Sequence, residues 1–377
     1  MLSPHPGSES NSAISRVDET DQLGHLKDMN TLEHENGRLL VAVTEHEYRK
    51  ASEILESLGK DRFRFICVPA EEKALAASLS DSGARHVILG VDRYGADLYS
   101  SLEEGAVLAR FGVGYDGIDL EKATDRGLLC TNTPGVISTS VAELAVTFIL
   151  SAARGLCRLN SKVKTGEWSA HTGSELYGKT LAIIGCGAIG TRLAQTAAFG
   201  LRMRVVGCDT RSLDAGKMRK DHGFEFITSD FKEAVSDAAM VSIHIPACSE
   251  TRRFINRERL ELMPENSWLI NTARGSVVDE SALYDALASG IIAGAALDVF
   301  ENEPYKPVDS KKDLRTLPNT IMTPHCASTT AAVCRKISER VVKNLVHAEN
   351  SEYAEMDLLN REILSRIPAG KQSGIGA

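Results

Sequence analysis

The chain has 377 residues, enough for two domains with separate cores, and its composition, 43% hydrophobic and 25% charged, is that of a globular protein. A net charge of −8 without any run of Lys and Arg argues against a nucleic-acid partner. Eight scattered cysteines, with no Cys-x-x-Cys pair and no zinc spacing, predict no metal and fit a reduced, cytoplasmic protein.

Residues 1–37 are polar, rich in Ser, His and Glu, and read as a disordered extension rather than a signal or transit peptide. Apolar runs at Leu39–Val43, Phe63–Val68 and His86–Leu89 then alternate with helical stretches at Tyr48–Leu58 and Glu71–Leu79, the rhythm of a parallel sheet. A strand at Ala106–Phe111 leads into the glycine-dense Gly112–Gly117. Another, Leu128–Thr131, stops at Asn132-Thr133-Pro134-Gly135. Ser138 or Thr139 is placed to cap a long helix to about Arg154. The longest apolar stretch, Val141–Leu156, is too short for a bilayer and carries Glu143, so no membrane partner is expected.

A second series begins at Thr180, with strands at Leu181–Ile184, Arg204–Cys208, Met240–His244, Ser267–Thr272, Ile292–Leu297 and Thr320–Thr323. The last helix, Thr329 to about His347, repeats apolar residues at Val333, Ile337, Val341 and Leu345. Residues 351–377 read as a loose tail, rich in Gly, Ser and Lys from about Arg361.

Gly185-Cys186-Gly187-Ala188-Ile189-Gly190 follows the first strand of that series and opens an apolar helix. The first glycine permits the turn, the second admits a pyrophosphate and the third lets helix meet strand. The helix N-terminus presents N–H groups to phosphate. Asp209, nineteen residues beyond Gly190, ends the next strand and is placed to accept from the adenosine ribose. Its charge favours NAD, with NADP less favoured, although Arg211 partly offsets the preference.

Three later strands each deliver a different group near their C-terminal ends: Arg274, then Asp298 with Glu303, then His325. Ligands bind outside that end of an open α/β sheet. A guanidinium, a carboxylate and an imidazole there suit a small anionic substrate that gains or loses a proton. His244 reads as structural or as a cofactor-pocket wall, and Cys326 as an inert wall.

Gly185–Gly190, Asn271–Asp279, Leu297–Pro304 and Thr323-Pro324-His325 together resemble the D-isomer-specific 2-hydroxyacid dehydrogenases, which include phosphoglycerate dehydrogenases and glyoxylate/hydroxypyruvate reductases. The resemblance extends back through Gly112–Asp119, Thr131–Gly135 and Ser140–Glu143, spanning roughly residues 38–348. It implies that Arg274 grips the substrate carboxylate and that His325 is the general acid or base. Glu303 would hold the imidazole and favour its protonated form. The resemblance also implies that Asp298 lies near the nicotinamide carboxamide and that the backbone amides of Gly112, Val113 and Gly114 form a second carboxylate clamp. Pro246, Thr251, Thr272 and Ala273 are further implied cofactor contacts.

Gly117 stands where many members carry Asn, and Glu303 where formate dehydrogenases carry Gln, which argues against formate. The loops at Tyr115–Gly117 and Thr131–Val136 resemble the glyoxylate/hydroxypyruvate branch slightly better.

The expected fold is α/β, with two doubly wound parallel-sheet (Rossmann-like) domains and a catalytic cleft between them. A discontinuous substrate domain takes residues 38–137 and 327–350, and an NAD-binding domain takes 138–326. The expected activity interconverts a 2-oxoacid and a D-2-hydroxyacid with NAD, in a homodimer built partly on helix Ser140–Arg154. The alternatives are an NAD(H)-sensing scaffold of the corepressor kind and a phosphite-type dehydrogenase.

Overall fold

The computed structural model describes residues 37–366, so the expectations for residues 1–36 and 367–377 lie outside the described residues. Five strands, β1 (Leu39–Thr44), β2 (Phe63–Val68), β3 (His86–Leu89), β4 (Val107–Arg110) and β5 (Leu129–Thr131), form one sheet in the order β2-β1-β3-β4-β5. Seven more form the second: β6 (Thr180–Ile184), β7 (Arg204–Cys208), β8 (Phe224–Thr228), β9 (Ala238–Ile243), β10 (Trp268–Asn271), β11 (Gly294–Leu297) and β12 (Thr320–Met322). Their order is β12-β11-β10-β9-β6-β7-β8, and every pairing in both sheets is parallel. Both sheets are therefore doubly wound, and the order of the second reverses between β6 and β9, where a crevice opens at the strand ends.

β3, β4, β6 and β11 are buried along their whole length, which is why they read as unbroken apolar runs rather than alternating ones. β8 was not anticipated. It is an edge strand, and Phe224-Glu225-Phe226-Ile227-Thr228 buries only its first residue.

Helix Ser138–Arg154 carries the chain from one sheet to the other. Its small residues Ala142, Ala145, Ala152 and Ala153 are buried in the core of the second sheet. The expected cap is absent: the N-cap position is Ile137, and neither Ser138 nor Thr139 caps the helix, while the Ser140 hydroxyl donates to the Ile137 carbonyl at 3.0 Å. The last helix, Ala331–Glu349, returns to the first sheet and buries Val333, Ile337, Val341 and Leu345 in its core, as the spacing predicts. Each such side chain contributes roughly 1.5–3 kcal/mol by leaving water.

The tail departs from expectation as far as residue 366. Met356, Leu358 and Ile363 are buried in the core of the first sheet. Leu358 bridges Thr131 antiparallel at the free edge of β5, and the Leu359 amide donates to the Cys130 carbonyl at 2.8 Å. Asn360 is fully buried: Oδ1 accepts from the Cys130 amide at 3.0 Å, and Nδ2 donates to Thr124 Oγ1 and the Leu128 carbonyl, each at 2.9 Å. The physical reason is the exposed β5 edge, whose backbone groups need partners.

Asn360→Ala leaves an interior amide and carbonyl unpaired and should lower the unfolding free energy by about 2–4 kcal/mol, read from urea denaturation of the full chain.

Candidate active site

The turn from β6 into helix Ala188–Gln195 shows why its glycines stand where they do. Gly185 has φ +98°, and a Cβ there would lie 2.5 Å from the His244 carbonyl oxygen. A Cβ on Gly190 would lie 2.2 Å from the Gly185 carbonyl oxygen. Gly187 faces open space, with no atom within 4 Å of where its Cβ would be. The N–H groups of Ala188, Ile189 and Gly190 have no intrahelical acceptor, and Gly187 offers no side chain to cap them. An open face bounded by unpaired donors fits a pyrophosphate.

Asp209 lies at the end of β7, but its carboxylate is not open. Oδ1 accepts from the amide and Nε of Arg211, both at 2.9 Å. Oδ2 accepts from Arg211 Nη2 at 2.7 Å and from the Cys186 amide at 2.8 Å. The Arg211 hydrogen bond holds the carboxyl down at about 2 against the opposing effect of burial. Hydrogen bonding to a ribose thus requires Arg211 to yield its place.

At the neighbouring strand end, the Ser242 hydroxyl and His244 Nε2 are 2.9 Å apart, while His244 Nδ1 is buried without a partner. Burial pushes this imidazole down to about 4, so it is neutral at physiological pH. Thr272 Oγ1 is likewise buried and unpartnered, and the Ala273 amide donates to Asn271 Oδ1. The Thr251 hydroxyl is spent inside its own turn, donating to the Pro246 carbonyl at 2.6 Å and accepting from the Cys248 amide at 2.9 Å.

His325 follows β12 in a left-handed conformation, φ +48°, which is strained for a histidine. Its amide donates to the Asp298 carbonyl at 2.8 Å. Its Nδ1 is 2.6 Å from Glu303 Oε2, and Glu303 Oε1 accepts from the Phe300 amide at 2.9 Å. Burial, the largest single effect, raises the Glu303 carboxyl, but the His325 hydrogen bond and charge, the Phe300 amide and the Arg274 charge together hold it below its ordinary range. Glu303 is therefore ionised at neutral pH and suited to stabilising a cationic imidazole.

Asp298 corrects an expectation. It has no accessible surface, and its carboxylate accepts from Thr323 Oγ1 and the Cys326 amide through Oδ1 and from the Ala327 amide through Oδ2. The residue faces inward and splints the turn carrying His325, rather than facing a carboxamide. Three donors within reach are the physical reason.

Arg274, beyond β10, reaches across to the loop after β4. Its Nε donates to Asp116 Oδ2 at 2.7 Å and its Nη1 to the Ala273 carbonyl at 2.6 Å. Its Nη2 fills the space beside Gly114, only 1.4 Å from where a Cβ would sit. The carbonyls of that loop are turned inward: Gly112 accepts from the Thr133 amide, Val113 from Asn132 Nδ2 and Gly114 from Arg110 Nε. Of the three amides expected to clamp a carboxylate, that of Gly112 instead donates to the Arg110 carbonyl at 2.8 Å, because the loop folds tightly back there. Those of Val113 and Gly114 have no partner among the described residues. Asp116, the anchor of Arg274, escaped the sequence reading even though it lies within a quoted motif.

His325 and Glu303 open on a cavity of about 410 Å³ whose other wall carries Glu47, Asp92, Arg110 and Phe111 from the first sheet. A larger cavity, about 690 Å³, lies at the opposite strand ends, beside Trp268, Ala293 and Thr320, away from these groups.

Residues 146–327 match the family model of the NAD binding domain of D-isomer specific 2-hydroxyacid dehydrogenases. The chain is 35% identical over 310 residues to a glyoxylate reductase of Korarchaeum cryptofilum, covering 81% of this chain and 90% of that protein. Among solved structures it is similar to the D-lactate dehydrogenase of Aquifex aeolicus complexed with NAD and lactic acid, at 29% identity and TM-score 0.73, covering 85% of this chain and 99% of that one. It is also similar to an NADPH-dependent glyoxylate/hydroxypyruvate reductase of Sinorhizobium meliloti in complex with NADP and malonate, at 30% identity and TM-score 0.68, covering 82% and 93%.

Asp209→Ala should weaken NADH binding about tenfold and strengthen NADPH binding, measured by fluorescence titration of both dinucleotides; unchanged affinities would detach Asp209 from cofactor choice.

Proposed function

The chain belongs to the D-isomer specific 2-hydroxyacid dehydrogenase family, and on that premise we propose how its residues divide the work of an NAD-dependent interconversion of 2-oxoacid and D-2-hydroxyacid. A dinucleotide held by the Gly185–Gly190 turn and Asp209 would supply or accept the hydride at the substrate's second carbon. Arg274 and the amides of Val113 and Gly114 receive the carboxylate, the arginine through Nη2 while Asp116 and the Ala273 carbonyl hold the rest of its fork. A long side chain pinned in this way has already lost most of its rotamer freedom before substrate arrives.

His325 moves the proton. With Nδ1 held by Glu303, its Nε2 is left to face the substrate carbonyl. During reduction the imidazolium gives its Nε2 proton to the carbonyl oxygen and keeps its Nδ1 proton, which it donates in a hydrogen bond to Glu303; oxidation reverses the transfer. The observation that carries this reading is the 2.6 Å contact of His325 with an ionised Glu303 in a cleft where the Arg274 charge also acts on Glu303. The glyoxylate and hydroxypyruvate type of small oxoacid is the substrate class we favour, supported by the glyoxylate reductase relative.

The enzyme acts as a homodimer in this reading. Helix Leu156–Lys164 buries none of its residues, and beyond it Trp168 is 92% and Tyr177 77% exposed, with Leu156 and Val163 also exposed. So much apolar surface on one arm suits an interface with a second copy. Light scattering should give twice the chain mass, and Trp168→Glu with Leu156→Glu should give the single mass; a wild-type monomer would overturn the dimer.

For the chemistry, wild-type protein should oxidise NADH with glyoxylate or hydroxypyruvate. Arg274→Lys should lose at least ~100-fold in kcat/KM, and Asp116→Ala should raise the oxoacid KM about tenfold with little change in the KM for NADH. Undiminished turnover by Arg274→Lys would remove Arg274 from the site.

A further inference from the structure

The wall of the cleft opposite His325 is shaped by two absent side chains. A Cβ on Gly117 would lie 2.0 Å from the Asp92 carbonyl oxygen and 2.9 Å from its carbonyl carbon. The obstacle is backbone, so no side-chain rotation relieves it. The Tyr94 amide donates to the Gly117 carbonyl at 3.1 Å, which ties the segment after β3 down onto the carboxylate-binding loop. Asp92 is thereby brought to line the cavity. Gly90 does the same for Glu47: a Cβ at position 90 would lie 2.6 Å from Glu47 Oε2, and the buried Glu47 faces the same space.

Glu47 and Asp92 share this wall with Lys50 and Arg110, but the donors of both cations are already engaged. Arg110 donates from Nε to the Gly114 carbonyl and from Nη1 to the carbonyls of Leu89 and Phe111. Lys50 Nζ is engaged 3.6 Å from Glu47. Asp92 has no salt bridge among the described residues. Burial first, and the Glu47 charge second, push its carboxyl upward, with His46 and Arg110 acting less strongly in the opposite direction. A substrate bearing a second anion would place it beside the Asp92 carboxylate, which has no cationic partner of its own among the described residues, and like charges repel. A hydroxyl would instead find acceptors.

We infer that Asp92, brought into the cleft by the space at Gly117, is a specificity-determining residue that excludes 2-oxoacids carrying a second anionic group and admits those with neutral or hydroxylated side chains. The inference rests on the oxidoreductase reading above. Its test is kcat/KM with NADH for two matched pairs, hydroxypyruvate against 3-phosphohydroxypyruvate and 2-oxobutyrate against oxaloacetate. The wild-type enzyme should favour the neutral member of each pair by about thirtyfold or more, as expected for a like-charge clash. Asp92→Asn should raise kcat/KM for the anionic members about fivefold and so narrow the ratio within each pair. Gly117→Ala, which forces the Asp92 backbone outward, should relax discrimination in the same direction. Equal use of both members by the wild type, or an unchanged ratio in Asp92→Asn, overturns the inference. No turnover of any oxoacid by protein that binds NADH overturns instead the reading on which it rests.

Discussion

The Asp298 carboxylate is out of reach of water, and the hydrogen bonds it accepts from Thr323, Cys326 and Ala327 close the turn on which His325 stands. An ionised group in such a place costs several kcal/mol unless donors surround it, so the turn and the carboxylate stabilise one another. The arrangement also keeps His325 left-handed at φ +48°, a conformation the residue would leave if released. From that backbone the imidazole meets Glu303, and from that contact follows which ring nitrogen faces the cleft. The orientation of the His325 ring is thus set one layer beneath it.

How much of this was legible in the sequence depends on how far each cause lies along the chain. The glycines of the β6 turn were readable because the strand before them, the helix after them and their own spacing mark the motif, although the atom that Gly185 makes room for, the His244 carbonyl, lies far along the chain. The buried strands were readable from their apolar runs. Asp298 was recognised as part of the site but assigned to the cofactor, since a motif gives a residue without its rotamer. Asp116 went unnoticed because its partner is 158 residues distant and nothing nearby marks the pairing. The segment to residue 366 was read as loose because the Gly-, Ser- and Lys-rich residues that follow it set the impression, although Met356, Leu359 and Ile363 stand at helical spacing. They serve as single plugs against β5 instead.

The two sheets contribute unlike things to the cleft. The second brings the imidazole, its carboxylate and the guanidinium on strand ends, where packing leaves little freedom. The first brings the loop after β4, with its two amides unpartnered among the described residues, and the opposite wall of the cavity. The ion pair of Arg274 with Asp116 joins them, so the position of the guanidinium and the apposition of the sheets are coupled. Reaction type and substrate choice are in this way written on separate parts of the chain, which lets one vary while the other is kept.

The anchoring of Leu358–Asn360 on β5 has a consequence for how the chain comes into being. The second sheet is drawn from a continuous stretch, 180–322, and can close as soon as that stretch has left the ribosome. The first sheet, although translated earlier, lacks part of its core until residues 331–363 arrive. The half made first is therefore completed last, and a nascent chain spends the final stage of synthesis with one finished lobe and one still exposing apolar surface, the interval in which a chaperone has most to hold.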